Sequence, residues 1–216
     1  MQNILITGAN RGIGAELRSQ YLAKGATVTG TTRQAPSEGF LQLDVTDPKS
    51  LRDMAAAFGD APLDLLVCNA GIFADQNETL ESGYPADMWA DGFATNVTGV
   101  FQAIQAVLPN LKAANGKIAI ISSQMGSSTK TAGDGFIYRA SKAAVLNLGL
   151  NLSVALKSDG VSVGIYHPGW VQTDMGGSTA AITPEAAATG LSARFDALSM
   201  ATTGCFENWD GRPHAI

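Results

Sequence analysis

A chain of 216 residues, 45% hydrophobic and 15% charged, is long enough for one sizeable domain with a buried core and too apolar to be disordered. Its net charge of −5 excludes a general phosphate-backbone binder, which needs a basic face, but leaves room for a small anionic ligand held by a few local cations. Cys68 and Cys205 lie far apart, without CxxC or His-rich spacing, which excludes a zinc site and a disulfide framework; Cys68, inside an apolar run, reads as a small buried hydrophobe.

Residues 1–3 run directly into a short apolar strand, 3–7 (NILIT), with no charged leader. No apolar stretch approaches the roughly 20 residues that span a bilayer, so a cytoplasmic protein with no membrane partner is expected. Residues 12–24 carry Ile13, Leu17 and Tyr21 at helical spacing and stop before Gly25. Strands follow at 26–32 and 41–44. The segment between them, 33–40, holds Pro36 and Gly39 and is too short for a crossover helix. Asp47-Pro48 opens a helix that reaches about Phe58. A strand at 63–69 precedes a long helical stretch over 87–114, with Gly92, Gly99 and Pro109 as weak points. Then come a strand at 117–122, an alanine- and leucine-rich helix at 138–157, a strand at 161–166, a helix at 184–198 and a short last strand at 204–207. Alternation of this kind gives an α/β fold, a parallel sheet covered by helices on both faces, built as one domain over residues 1–216.

Thr7-Gly8-Ala9-Asn10-Arg11-Gly12-Ile13-Gly14 lies between the first strand and the first helix. Glycines there let the chain turn sharply and bring backbone N–H groups against a pyrophosphate, and the helix N-terminus adds orphan donors. A dinucleotide is the expected ligand. At the end of the second strand, where a NAD binder carries an acid for the ribose, Thr32-Arg33 stands instead. Arg33 and Arg11 can both offer guanidinium forks to a 2′-phosphate, which favours NADP(H) over NAD(H). Asp44-Val45 ends the third strand; its carboxylate can accept from an adenine amino group or serve as a plain strand-end Asp. Asn69-Ala70-Gly71 ends the fourth strand, at the sheet edge where such folds bind ligands.

Tyr138 and Lys142, at i and i+4, share one helix face. A phenol titrates near pH ~10, and a neighbouring ammonium, helped by the charge of an oxidised nicotinamide, is expected to bring it toward the working range of an acid–base catalyst. Ser122 and Ser123 end the fifth strand, where a hydroxyl can hold a carbonyl or alcohol oxygen; we take Ser123. Asn96, polar among apolar neighbours, either holds a water near Lys142 or serves a helix kink by Gly99.

These motifs in this order resemble the short-chain dehydrogenase/reductase family over essentially the whole chain. The resemblance implies a Rossmann-like, doubly wound sheet of about seven strands in the order 3-2-1-4-5-6-7. It implies a site of Ser123, Tyr138, Lys142 and Asn96, with Tyr138 as acid–base, Lys142 also on the nicotinamide ribose and Asn96 supporting a relay water. The stretch His167-Pro168-Gly169-Trp170-Val171-Gln172-Thr173 resembles the segment that holds the nicotinamide carboxamide, with Pro168, Gly169, Val171 and Thr173 near the cofactor. HPGWVQTDMGG and the ending Gly204–Gly211 are similar to the carbonyl-reductase and C-factor branch. This chain departs in carrying Cys68 where the family has a second Asn, in a longer loop between Ser123 and Tyr138, and in a small lid at 175–183. Met125, Trp170 and Met175 are candidate pocket walls or simple packing, suited to a small apolar aldehyde or ketone. A homodimer or homotetramer is plausible by resemblance. His214 reads as part of an exposed tail. The rival reading is an NADP(H)-binding redox-sensing or signalling protein with incidental turnover.

Overall fold

The computed structural model describes residues 1–81 and 83–216. The apolar runs pair as seven parallel strands in the order β3-β2-β1-β4-β5-β6-β7. The strands are β1 (Asn3–Ile6), β2 (Thr27–Thr32), β3 (Phe40–Gln42), β4 (Leu65–Cys68), β5 (Lys117–Ile121), β6 (Ser162–His167) and β7 (Phe206–Asn208). Every residue of β4 and of β6 is buried, as expected for strands with helices on both faces. Alternation along β1 divides the core. Ile4 and Ile6 pack with Leu17 and Tyr21 of helix α1 (Gly12–Ala23) and Phe195 of α7 (Pro184–Ala197). Leu5 faces the other layer, with Met54 of α2 (Pro48–Phe58), Ile104 of α4 (Gly99–Ala106) and Val145 of α6 (Phe136–Ala155). The connection between β2 and β3 is turns and bends only, in line with its length.

The order reverses between β1 and β4, the switch point where parallel sheets of this kind take ligands. There the two strand-end loops nearly touch: a Cβ on Gly8 would lie 3.1 Å from the Cα of Ala70.

Two elements differ from the sequence reading. The long helix expected over 87–114 is divided into α3 (Ala86–Phe93), a π-helical turn (Ala94–Thr98), α4 and α5 (Leu108–Ala114). Gly99 follows the π turn because Val45 is pressed against it; a Cβ there would come within 2.8 Å of Val45 Cγ2. The C-terminal tail also folds back. Glu207 bridges antiparallel to Pro213, and the His214 N–H donates to Phe206 O at 2.8 Å. His214 is therefore half-buried, its ring 4.7 Å from that of Phe206, and not part of a free tail. Among the described residues no helix is long and apolar enough to cross a membrane.

Candidate active site

The glycine loop leaves β1 with Gly8 and Gly12 at positive φ (65° and 56°), a conformation that a side chain would strain. Gly14 is required for a different reason: a Cβ would lie 2.5 Å from Gly8 O and 2.6 Å from Asn69 Nδ2. Arg11 occupies the N-cap of α1 without giving a side-chain cap, and the first turn carries no acid. The opening N–H groups of α1 are thus left for an anion, as a pyrophosphate requires. This uncapped, glycine-lined cradle fits a dinucleotide.

Thr7 and Asn69 lock the cradle. Thr7 Oγ1 accepts from the N–H groups of Asn69 and Ala70, both at 3.0 Å, and Asn69 Nδ2 donates to Thr7 O and Gly8 O, also at 3.0 Å. Asn69 acts on the loop, with its side-chain donors already engaged there. Thr31 joins them, accepting from Gly8 N on Oγ1 and from Ala9 N on its carbonyl.

At the adenosine end, Thr32 is buried and its hydroxyl accepts from Gln34 N, shaping the turn that presents the exposed Arg33. Asp44 accepts from the Thr46 N–H and hydroxyl on one oxygen, which holds its carboxyl below the usual range, and the Arg33 guanidinium adds to this. The turn-forming reading of Asp44 is what these bonds show. Val45 is core, packed on Gly99. Arg11 does not join Arg33: its guanidinium pairs with Asp174, beyond Thr173. Thr173 itself packs against the glycine loop, its Cγ2 3.3 Å from where a Gly12 Cβ would be. Val171 is buried and bridges to Ile182, closing the lid loop that follows Pro168-Gly169.

The proposed chemical groups gather at the carboxyl ends of β4 and β5. Lys142 Nζ donates to Ile121 O at 2.9 Å, lies 5.5 Å from the centre of the Tyr138 ring, and is 3.5 Å from a Cβ built on Gly71. Ser122 Oγ donates to Lys142 O at 2.9 Å and so faces the helix. Ser123, one residue on, is buried, accepts from Met125 N at 3.1 Å, and its nearness to the Tyr138 hydroxyl favours the ionised phenol. Asn96 lies on the π turn, 2% exposed, and its amide is engaged with protein: Oδ1 accepts from Ile72 N (2.9 Å), and Nδ2 donates to Ile72 O (2.9 Å) and Ser141 Oγ (3.0 Å). A relay water would therefore use the remaining lone pair of Oδ1 or a main-chain group.

Burial reverses the expected direction for Tyr138. Desolvation pushes the phenol up to about 12, against the Ser123 hydrogen bond that lowers it. The same burial brings Lys142 down to about 8. Without a cofactor's charge, the pair is a protonated phenol beside a weakened ammonium.

Of the pocket candidates, Met125 reaches the site. Its Cε and the Phe73 ring both lie 3.3 Å from a Cβ built on Gly135, and Phe73 stacks on Tyr138 with ring centres 4.2 Å apart. Trp170 is 54% exposed and donates from Nε1 to Gly176 O, bracing the lid; Met175 is also exposed. Phe73 and Asp75 escaped sequence reasoning. Asp75, 1% exposed, accepts from the N–H groups of Ile137 and Tyr138, and only its position just after Asn69-Ala70-Gly71 marks it in the sequence. Cys68 is buried, its thiol pushed up to about 12, and takes no part.

The profile of the short chain dehydrogenase family matches residues 2–182. A 1-hydroxy-2-glutathionyl-2-methyl-3-butene dehydrogenase of Rhodococcus sp. (strain AD45) is 33% identical, over 98% of each chain. The C-signal protein of Myxococcus xanthus is 34% identical over 74% of this chain and 97% of its own length. An NADPH-bound carbonyl reductase from chicken fatty liver superposes with a TM-score of 0.91 and 30% identity, covering 100% of this chain and 99% of that one.

Proposed function

The chain belongs to the short-chain dehydrogenase family of oxidoreductases, within its carbonyl-reductase-like branch, and from that premise we propose that it reduces small apolar aldehydes or ketones with NADPH, Tyr138 giving the proton. The observation that carries the reading is the buried Tyr138 phenol with Lys142 Nζ 5.5 Å from its ring centre, at the sheet edge that faces the glycine loop.

The cofactor, when bound, supplies the hydride. The α1 terminus and the Asn69-pinned loop would hold its pyrophosphate, Arg33 would meet an adenosine 2′-phosphate, and Arg11 could join on leaving Asp174, an exposed ion pair worth about 0.2–1 kcal/mol. Lys142 and Thr173 would serve its nicotinamide end. Ser123 orients the carbonyl oxygen, and the Tyr138 hydroxyl, protonated at neutral pH, donates to that oxygen as it gains negative charge. Lys142 then stabilises the phenolate left behind, and proton supply through the Asn96 side of the site restores it. Phe73 and Met125 make the wall beside Tyr138 apolar, which suits a substrate with a hydrocarbon or aryl substituent. The likeness to an NADPH-bound carbonyl reductase from chicken fatty liver and the lack of an acid at Thr32-Arg33 support NADP(H) and a carbonyl substrate.

The test follows NADPH and NADH absorbance with a panel of aliphatic and aryl aldehydes and ketones. Carbonyl-dependent oxidation, faster with NADPH, supports the proposal. Tight NADPH binding with no turnover across the panel favours the redox-sensing alternative.

A further inference from the structure

Resting on that reductase reading, we propose that Asp75 is a positioning residue for the reaction: from a loop 62 residues earlier in the chain its buried carboxylate fixes the turn of α6 that carries Tyr138, so that the phenol reaches the substrate oxygen in register.

The first turn of any helix has N–H groups without intrahelical partners. In α6 the N-cap is Gly135, at φ 54°, which has no side chain to serve them. Asp75 supplies the missing acceptors: Oδ2 takes Ile137 N at 2.7 Å and Oδ1 takes Tyr138 N at 3.2 Å. Its residue is 1% exposed. Burying a carboxylate is unfavourable unless several donors and a positive field offset it, and a helix N-terminus offers both. A neutral Asn would turn an NH2 toward one of those N–H groups, so the acid is the residue type the position needs.

The same short segment grips Tyr138 a second way. The Phe73 ring stacks on it at 4.2 Å and 19°. Ile72 is in turn pinned at both N–H and carbonyl by Asn96, whose amide also reaches Ser141 Oγ, and that hydroxyl donates to Tyr138 O at 2.8 Å. Tyr138 is therefore held at its ring, its N–H and its carbonyl. Lys142, one turn further along α6, is held by Ile121 O, and Ser123 follows β5, so a shift of the first turn of α6 would move the phenol relative to both. A misplacement of about 1 Å can lower a rate on the order of 10²-fold.

The experiment compares Asp75→Asn and Asp75→Ala with wild type, the amide variant retaining shape should the alanine variant fold poorly. Hydrogen exchange at the Ile137 and Tyr138 amides reads the hold directly, and kcat, substrate KM and NADPH Kd read its consequence. Faster exchange confined to those amides is expected. With it, kcat should fall by about 10-fold in Asp75→Asn and on the order of 10²-fold in Asp75→Ala, while NADPH Kd stays within about twofold and KM changes little. A kcat within about twofold of wild type in both variants would overturn the positioning role alone, as would kcat and NADPH affinity declining in parallel. A wild-type enzyme without carbonyl turnover would overturn the reductase reading, and the role of Asp75 with it, while the exchange data still report whether the carboxylate grips the helix.

Discussion

Lys142→Met should reveal that the site is held at a cost to the fold. Lys142 is 5% exposed, and burial brings its ammonium from 10.5 to about 8. In the unfolded chain the same group keeps its proton to about pH 10.4. Between those values the unfolded state binds a proton that the native state does not, so native stability rises with pH across that window. Below pH 8 both states are protonated and the contribution is flat. At about 1.4 kcal/mol per pH unit, the full change is about 3 kcal/mol. Replacing Lys142 with the similarly shaped, uncharged methionine removes this term. It also deprives Ile121 O of the donor at 2.9 Å, which costs about 1–3 kcal/mol. At pH 7 the variant should therefore be about as stable as wild type or slightly more so, though without turnover. From pH 8 to 10.5 wild type should gain on it by about 3 kcal/mol. Urea unfolding of both proteins at half-unit pH steps measures the difference, in which other titrating groups cancel. A difference flat across pH 8–10.5, or one that falls, refutes the argument.

The two serines should separate in activity rather than stability: Ser122→Ala takes the side-chain donor from Lys142 O and Ser123→Ala takes the acceptor from Met125 N, so each costs about 1 kcal/mol and lowers the urea midpoint, while Ser123→Ala alone lowers kcat by about 10²–10³-fold. Gly14→Ala forces a Cβ to within 2.5 Å of Gly8 O, against a loop that Asn69 pins. Overpacking there costs about 1–3 kcal/mol, or roughly 2–12 °C in Tm, and NADPH fluorescence titration should show weaker binding. Arg33→Asp should weaken NADPH binding far more than NADH binding; equal losses in the two titrations count against a 2′-phosphate contact at Arg33.

The glycine loop and sheet order were legible because strand and helix periods, bounded by glycine, are local signals, and the resemblance supplied the strand order. Tyr138 and Lys142 could be placed on one face by their spacing alone, but their titration could not. Burial decides it, and burial comes from Phe73, Asn96 and the strand ends packed around them. The π turn at Ala94–Thr98 has no composition of its own, and the glycine that follows it is required by Val45, a contact across more than 50 residues that no local signal announces. Asp75 and Asp174 were silent for the same reason, their partners Tyr138 and Arg11 lying on distant elements. That Ser122 turns toward the helix could not be read from the sequence, because its partner, Lys142 O, lies 20 residues away.

Tyr138→Phe tests the central claim most directly, because it deletes one oxygen and leaves the ring stacked on Phe73. In single-turnover reactions with bound NADPH and saturating carbonyl, oxidation should slow by about 10²–10⁴-fold while NADPH Kd is unchanged. Oxidation within a few-fold of wild type would contradict Tyr138 as the proton donor.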